Sequence, residues 1–242
     1  MISLLKFRLG AYLILLLPAL AGAGWIPISP HDKAAPGTAA HAAGWRRGDW
    51  KEIEDVGGTA GRVLRTGKFA AGSNVACIRL PVPIPADSDS ATLSFRFRMR
   101  TAPGDGPRVV WGLSVRELLD ATWGAQAVQA GLGVEADGPF LKIRSGAKSE
   151  VLLRELQTGP WYRVWVVLDN RAGQQSLYVS TAPGPAGPEN LLNDRMAYRS
   201  DAPRGALEYF TLIRDRGDPE GSIEVDDLFL DPTGENLTAP VP

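Results

Sequence analysis

The sequence predicts an all-β fold, an antiparallel sandwich, on three observations. Short apolar segments recur from Trp45 to the end of the chain, separated by Gly, Pro, Asp and Asn. The clearest of them alternate apolar and polar side chains with a period of two, the spacing of a strand with one face in a core. No stretch sustains a 3.6-residue period over several turns; RELLDATW (116–123) and PENLLNDRM (188–196) allow one or two helical turns each. Many short strands at turn-limited spacing are the pattern of a sandwich or barrel.

The chain opens MISLLKFRLGAYLILLLPALAGAGW. Lys6 and Arg8 make a short positive region, Leu9 to Leu20 is apolar, and Ala19-Leu20-Ala21 and Ala21-Gly22-Ala23 are small-x-small cleavage sites. This reads as a secretory signal peptide over 1–23; the apolar run is shorter than the ~20 residues of a spanning helix. An Ala/Pro/Gly-rich linker is expected over 24–44, one β domain over 45–232, and a loose polar tail over 233–242. The expected location is outside the cytoplasm: secreted, periplasmic or on the cell surface, with no membrane span left after cleavage.

Within the domain, GRVLRTG (61–67) and VACIRLPV (75–82) are short apolar strands. SATLSFRFRMRT (90–101) alternates, with Leu93, Phe95, Phe97 and Met99 on one face. PRVVWGLSV (107–115) follows a Gly/Pro/Asp turn, with Val109, Trp111, Leu113 and Val115 as its apolar set. VQAGLGVEADGPFLKIRSG (128–146) is a hairpin around Asp137-Gly138, a strong hairpin-turn signal. VLLREL (151–156), WYRVWVVLDN (161–170), QSLYVSTA (175–182), LEYFTLIRD (207–215) and SIEVDDLFLD (222–231) supply the remaining strands.

The residue inventory narrows the chemistry. The formal net charge is −1, and −3 once Lys6 and Arg8 are removed, which argues against a nucleic-acid partner. Cys77 is the single cysteine, so no internal disulfide forms, and its apolar neighbours predict a buried thiol. His31 and His41 are the only histidines and both fall in the linker. A Ser-His-Asp triad, a Cys-His pair or a His-ligated zinc cannot then be assembled in the domain.

The segment TGPWYRVWVVLDNRAGQQSLYVST resembles laminin-G-like and concanavalin-A-like jelly rolls through Gly159, Trp161, Val164, Val166, Asp169, Gly173, Leu177, Tyr178 and Val179. IEVDDLFLD is similar to the closing strand of such domains, and 45–232 has the size that the resemblance implies. The loop APGPAGPEN departs from the usual lectin pattern. The resemblance implies a jelly roll and a function ranging from carbohydrate binding through polysaccharide cleavage to adhesion. The nearest stretch to a Glu-x-Asp-x-x-Glu glycosidase motif, EIEDVGG (52–58), has Glu54 and Gly57 where Asp and the second Glu belong. A lyase of this fold calls for a catalytic histidine, which the domain lacks.

FRFRMR (95–100) raises the main functional question. With Phe95, Phe97 and Met99 inward, Arg96, Arg98 and Arg100 point outward. The same parity in WYRVWVVLDN leaves Trp161, Arg163 and Trp165 outside. Aromatic faces stack on sugar C–H faces and guanidinium forks donate to hydroxyls and carboxylates. These six residues are therefore the candidate ligand face, for a polysaccharide or glycan bound without catalysis. The competing reading is structural, with arginine stacked on tryptophan beneath a loop. Glu224, Asp226, Asp227 and Asp231 crowd the last strand as a candidate Ca²⁺ site, against the alternative of a charge-guarded edge. No other cofactor is expected. Glu224 and Asp226, at i and i+2, lie about 6.5–7 Å apart on one strand face and are the candidates for a glycoside hydrolase. A structural or adhesive surface protein is the third reading. Asn236-Leu237-Thr238 is an N-glycosylation sequon, an acceptor if the export route is eukaryotic.

Overall fold

The computed structural model describes residues 24–29, 44–46, 51–55 (backbone), 62–65, 74–100, 109–118, 120, 122–135, 137–214 and 223–241. The expected signal peptide and most of the expected linker lie outside these residues, as do 56–58 of the glycosidase-like stretch.

The early strands are β1 (Ile26–Pro27), β2 (Lys51–Asp55), β3 (Arg62–Arg65), β4 (Asn74–Ile84), β5 (Ala91–Met99) and β6 (Val109–Ser114). The middle strands are β7 (Gln126–Glu135), β8 (Gly138–Ser145), β9 (Lys148–Leu153), β10 (Trp161–Asp169) and β11 (Gln174–Ser180). β12 (Leu191–Ala197), β13 (Leu207–Arg214) and β14 (Ile223–Asp231) close the chain. An eight-stranded sheet runs β12-β11-β10-β5-β14-β3-β2 with β1 against β14, and a six-stranded sheet runs β4-β13-β6-β7-β8-β9. Every strand-to-strand pairing is antiparallel.

The alternation read from the sequence settles which faces meet. Leu93, Phe95, Phe97 and Met99 of β5 and Tyr162, Val164, Val166 and Leu168 of β10 are buried in one core with Trp111, Leu113, Phe210 and Leu212 of the six-stranded sheet. Phe95 meets Trp111 edge-on with centroids 5.2 Å apart and Phe97 lies 5.6 Å from the same ring, so aromatic contacts join the two layers, while Phe97 stacks on Tyr162 of its own sheet at 5.1 Å. Val109 joins the core and Val115 packs at its margin. The Asp137-Gly138 hairpin forms, with Gly138 at φ 109°.

Four expectations are corrected. The two candidate helices shrink to 3₁₀ turns at Trp123–Ala125 and Pro188–Asn190, and 191–197 is strand β12. Their apolar residues serve packing on a sheet rather than a helical face. Part of the expected linker is sheet, since Ile26 and Pro27 pair with Leu230 and Phe229. The tail expected to be loose is hydrogen-bonded: Asn236 N–H donates to Thr92 Oγ1 (2.9 Å) and Ala186 N–H to Leu237 O (2.8 Å). The sequon is closed, because Asn236 is buried and its Nδ2 donates to Asp231 Oδ2 at 2.8 Å. No helix among the described residues is long and apolar enough to cross a membrane.

Candidate functional site

Strand register arranges the outer face of the eight-stranded sheet in rows. Trp161 of β10 lies opposite Arg98 of β5, Arg98 opposite Glu224 of β14, and Glu224 opposite Arg65 of β3. The next row is Arg163, Arg96 and Asp226. Strand parity thus places Arg96, Arg98, Trp161, Arg163 and Trp165 on one face, and cross-strand neighbours decide what they do there.

Glu224 is fully buried, and each of its oxygens accepts from one arginine fork. Arg98 Nε and Nη2 donate to Oε2 at 2.8 and 2.5 Å; Arg65 Nε and Nη2 donate to Oε1 at 3.1 and 2.5 Å. Arg96 donates through Nε (3.2 Å) and Nη2 (2.6 Å) to Asp226 Oδ2. Register slips between Asp226 and Phe229, and Asp227 sits at φ 49°, so a β-bulge turns two successive aspartates towards the arginines. Asp227 Oδ2 accepts from Arg163 Nη2 at 2.5 Å. Burial, foremost, and the neighbouring Asp227 charge push Asp226 up to about 7, while Arg96 pulls the other way.

This network corrects the predicted site in four respects. Arg96, Arg98 and Arg163 are committed to buried carboxylates, and the Arg96 and Arg98 guanidinium carbons each lie 4.6 Å from the Trp161 ring centroid. Arg100 is the outlier, largely solvent-exposed and 3.6 Å from Glu224. Trp165 is 0% exposed: its indole N–H donates to Thr238 O at 3.0 Å beneath the C-terminal segment. It offers no ring face to a ligand. The Ca²⁺ expectation for Glu224, Asp226, Asp227 and Asp231 also fails on chemistry. Three of the carboxylates face guanidiniums, and Asp231 accepts from Thr233 and Asn236. No metal-holding group of three or more Asp, Glu, His or Cys exists among the described residues. The same contacts remove Glu224 and Asp226 as a working carboxylate pair, since both are buried and neither oxygen of Glu224 is free for water or sugar. A pocket of about 260 Å³ remains on this face, between Trp161, Arg163 and the 180–184 turn.

A second pocket, of about 280 Å³, lies on the outer face of the six-stranded sheet. The chain after β6 folds back over that face: Leu118 and Ala125 pack on Val75 and Ile213, with Trp123 against them. Trp123 thereby forms one wall. Gln129 and Gly131 of β7 and Lys142 and Arg144 of β8 come from outward strand positions, and Ser149 and Arg199 complete the lining. A Cβ at Gly131 would stand 2.5 Å from Val109 O, so bare backbone is required in the floor.

Buried hydrogen bonds fix the polar wall. Thr211 Oγ1 donates to Gly112 O, Gln126 Nε2 to Thr211 Oγ1 (2.6 Å), Gln129 Nε2 to Gln126 Oε1 (3.0 Å), and Arg199 Nη1 to Gln129 Oε1 (3.1 Å). Arg199 also grips Asp201 through Nε (2.6 Å) and Nη2 (2.9 Å). That contact holds the Asp201 carboxyl below its ordinary range. Sequence reading missed this site. Gln129, Lys142 and Arg144 share the outward parity of the hairpin, but Trp123 and Arg199 reach it only through loop paths.

No protein-family model matches the chain, and no curated protein matches it in sequence. Solved structures do match in fold. Trypanosoma rangeli sialidase gives a TM-score of 0.53 at 16% identity, over 88% of this chain and 31% of the sialidase chain. The GH131 beta-glucanase catalytic domain from Podospora anserina gives 0.51 at 13% identity, over 87% of this chain and 93% of its own. The T. cruzi calreticulin globular domain gives 0.50 at 10% identity, over 85% and 82%. This chain therefore spans about a third of the sialidase and nearly all of the beta-glucanase domain. At these identities the likeness is one of fold, and the fold is the concanavalin-A-like jelly roll.

Proposed function

We propose that the protein is an exported, non-catalytic carbohydrate-binding module that takes a saccharide in the Trp123 pocket. One observation carries the reading. An aromatic wall stands beside hydrogen-bonding side chains that are held in place by a buried network, over a floor of bare backbone. Trp123 supplies a face for sugar C–H groups, and Gln129, Ser149, Arg144 and Arg199 supply the polar contacts that orient hydroxyls. Among the described residues the lining includes no carboxylate, which favours the binding reading over hydrolysis by an acid–base pair. Fold neighbours that include a sialidase and a beta-glucanase domain keep the setting one of sugars. Export rests on the 1–23 sequence.

The test is native gel electrophoresis through neutral and acidic polysaccharides, with Trp123→Ala and Trp161→Ala run beside the unmodified protein. Retardation lost in Trp123→Ala and kept in Trp161→Ala is the expected result. The opposite pattern would move the site to the eight-stranded sheet, and unchanged mobility in every gel would remove the binding function.

A further inference from the structure

We propose that the Trp123 pocket selects an acidic saccharide, and that Arg144 receives the sugar carboxylate; the proposal rests on the saccharide-binding reading above. The five arginines of the other sheet named above each have a carboxylate partner, whereas Arg144 has none among the described residues. Its one side-chain hydrogen bond is a long contact from Nη1 to Ser149 Oγ, at 3.4 Å. Its Nε–H is buried and has no acceptor. A buried donor without an acceptor is costly, and a guanidinium held by one long contact retains the freedom to turn its fork onto an anion.

The surroundings point the same way. The carboxylate of Asp201 is gripped bidentately by Arg199 and makes no ion pair with Arg144. The Arg144 charge is near enough to contribute to the lowered Asp201 titration, so the two side chains share one electrostatic environment. Lys142 adds a further positive charge to the lining. A pocket whose described lining is cationic and carries no carboxylate disfavours a second cation and favours an anion. Trp123 adds the sugar-specific element, since a free carboxylate needs no stacking wall. The planar fork of Arg144 matches a carboxylate through two parallel N–H···O bonds, whereas an ammonium makes only a point contact.

Isothermal titration calorimetry on the purified chain tests this with four tetrasaccharides: oligogalacturonate, its methyl ester, maltotetraose, and a sulfated maltotetraose. The expected result is tightest binding to oligogalacturonate, with the methyl ester weaker by about tenfold or more, the loss of one charge-assisted contact. Arg144→Lys should lose most of that preference and Arg144→Gln all of it. Both variants should keep the thermal midpoint of the unmodified protein. Raising the salt should weaken oligogalacturonate and leave maltotetraose unchanged, a readout that needs no variant. Equal affinity for acid and ester would overturn the carboxylate proposal while leaving saccharide binding intact. Preference for the sulfated sugar over the uronate would overturn it as well. Absence of heat with all four sugars would overturn the saccharide reading itself.

Discussion

Arg98 and Glu224 stand opposite each other across β5 and β14, and both fork nitrogens of Arg98 close on the same oxygen, Oε2, at 2.8 and 2.5 Å. Arg65 does the same to Oε1 from the other side. A fully buried carboxylate is thus neutralised across three strands, and those strands carry the middle of the eight-stranded sheet.

Removing one member of this set leaves uncompensated charge in a dry place. Glu224→Gln is expected to cost about 3–5 kcal/mol, and Arg98→Ala a comparable amount. Urea unfolding followed by circular dichroism reads both. A loss below about 1 kcal/mol would mean that water reaches the pair and screens it.

The C-terminal segment is expected to act as part of the fold. Truncation after Glu235 removes the Thr238 carbonyl that receives the Trp165 indole and the Asn236 side chain that caps Asp231. We expect red-shifted tryptophan emission, increased iodide quenching, and a loss on the order of 2 kcal/mol. The emission change should shrink when the truncation is made in Trp165→Phe and vanish when Trp25→Phe is added, because the Trp25 indole donates to Thr238 Oγ1. A tail that behaves as a loose end would leave all three unchanged.

Asp226 gives the pH dependence a definite sign. Its carboxyl titrates at 3.8 in the ordinary state and is pushed up to about 7 in the fold, so folding takes up a proton between these values. Its stability contribution is whole below about 4, declines as pH rises, and is gone above about 7. The slope is at most about 1.4 kcal/mol per pH unit for one group. Stability relative to Asp226→Asn, measured by chemical unfolding from pH 4 to 8, should fall across this window. A difference that rises with pH would show that Arg96 outweighs burial and holds the carboxylate ionised.

Cys77 is expected to be inert in the folded protein. It is fully buried, and burial pushes its thiol up to about 11, so almost no thiolate exists at neutral pH. Mass spectrometry after iodoacetamide treatment should show no adduct until denaturant is added. Rapid labelling of the native protein would mean that the cover over β4 opens.

The division between sequence and structure falls between patterns along one strand and relations among distant segments. Period-two alternation in 90–101 and 161–170 assigned inner and outer faces correctly, because side-chain direction in a strand is a local property. It also identified the sandwich. The alternation could not say which outward groups would be neighbours, since register depends on hydrogen bonding between strands far apart in sequence. Arg98 and Glu224 are 126 positions apart, so an apparent ligand face proved to be an ion-pair network. Nor could composition show that Thr238 would close over Trp165 or that Asn236 would satisfy Thr92 and Asp231. The Trp123 pocket is tertiary in the same way. The outward positions of Gln129, Lys142 and Arg144 follow from their own hairpin, whereas the return of Trp123 and Arg199 to the same face depends on loops packed by contacts elsewhere in the fold. By itself the sequence determined the all-β class and the faces of its alternating strands; long-range register and loop packing decided which charges pair inside the protein and which line the pocket on the outer face.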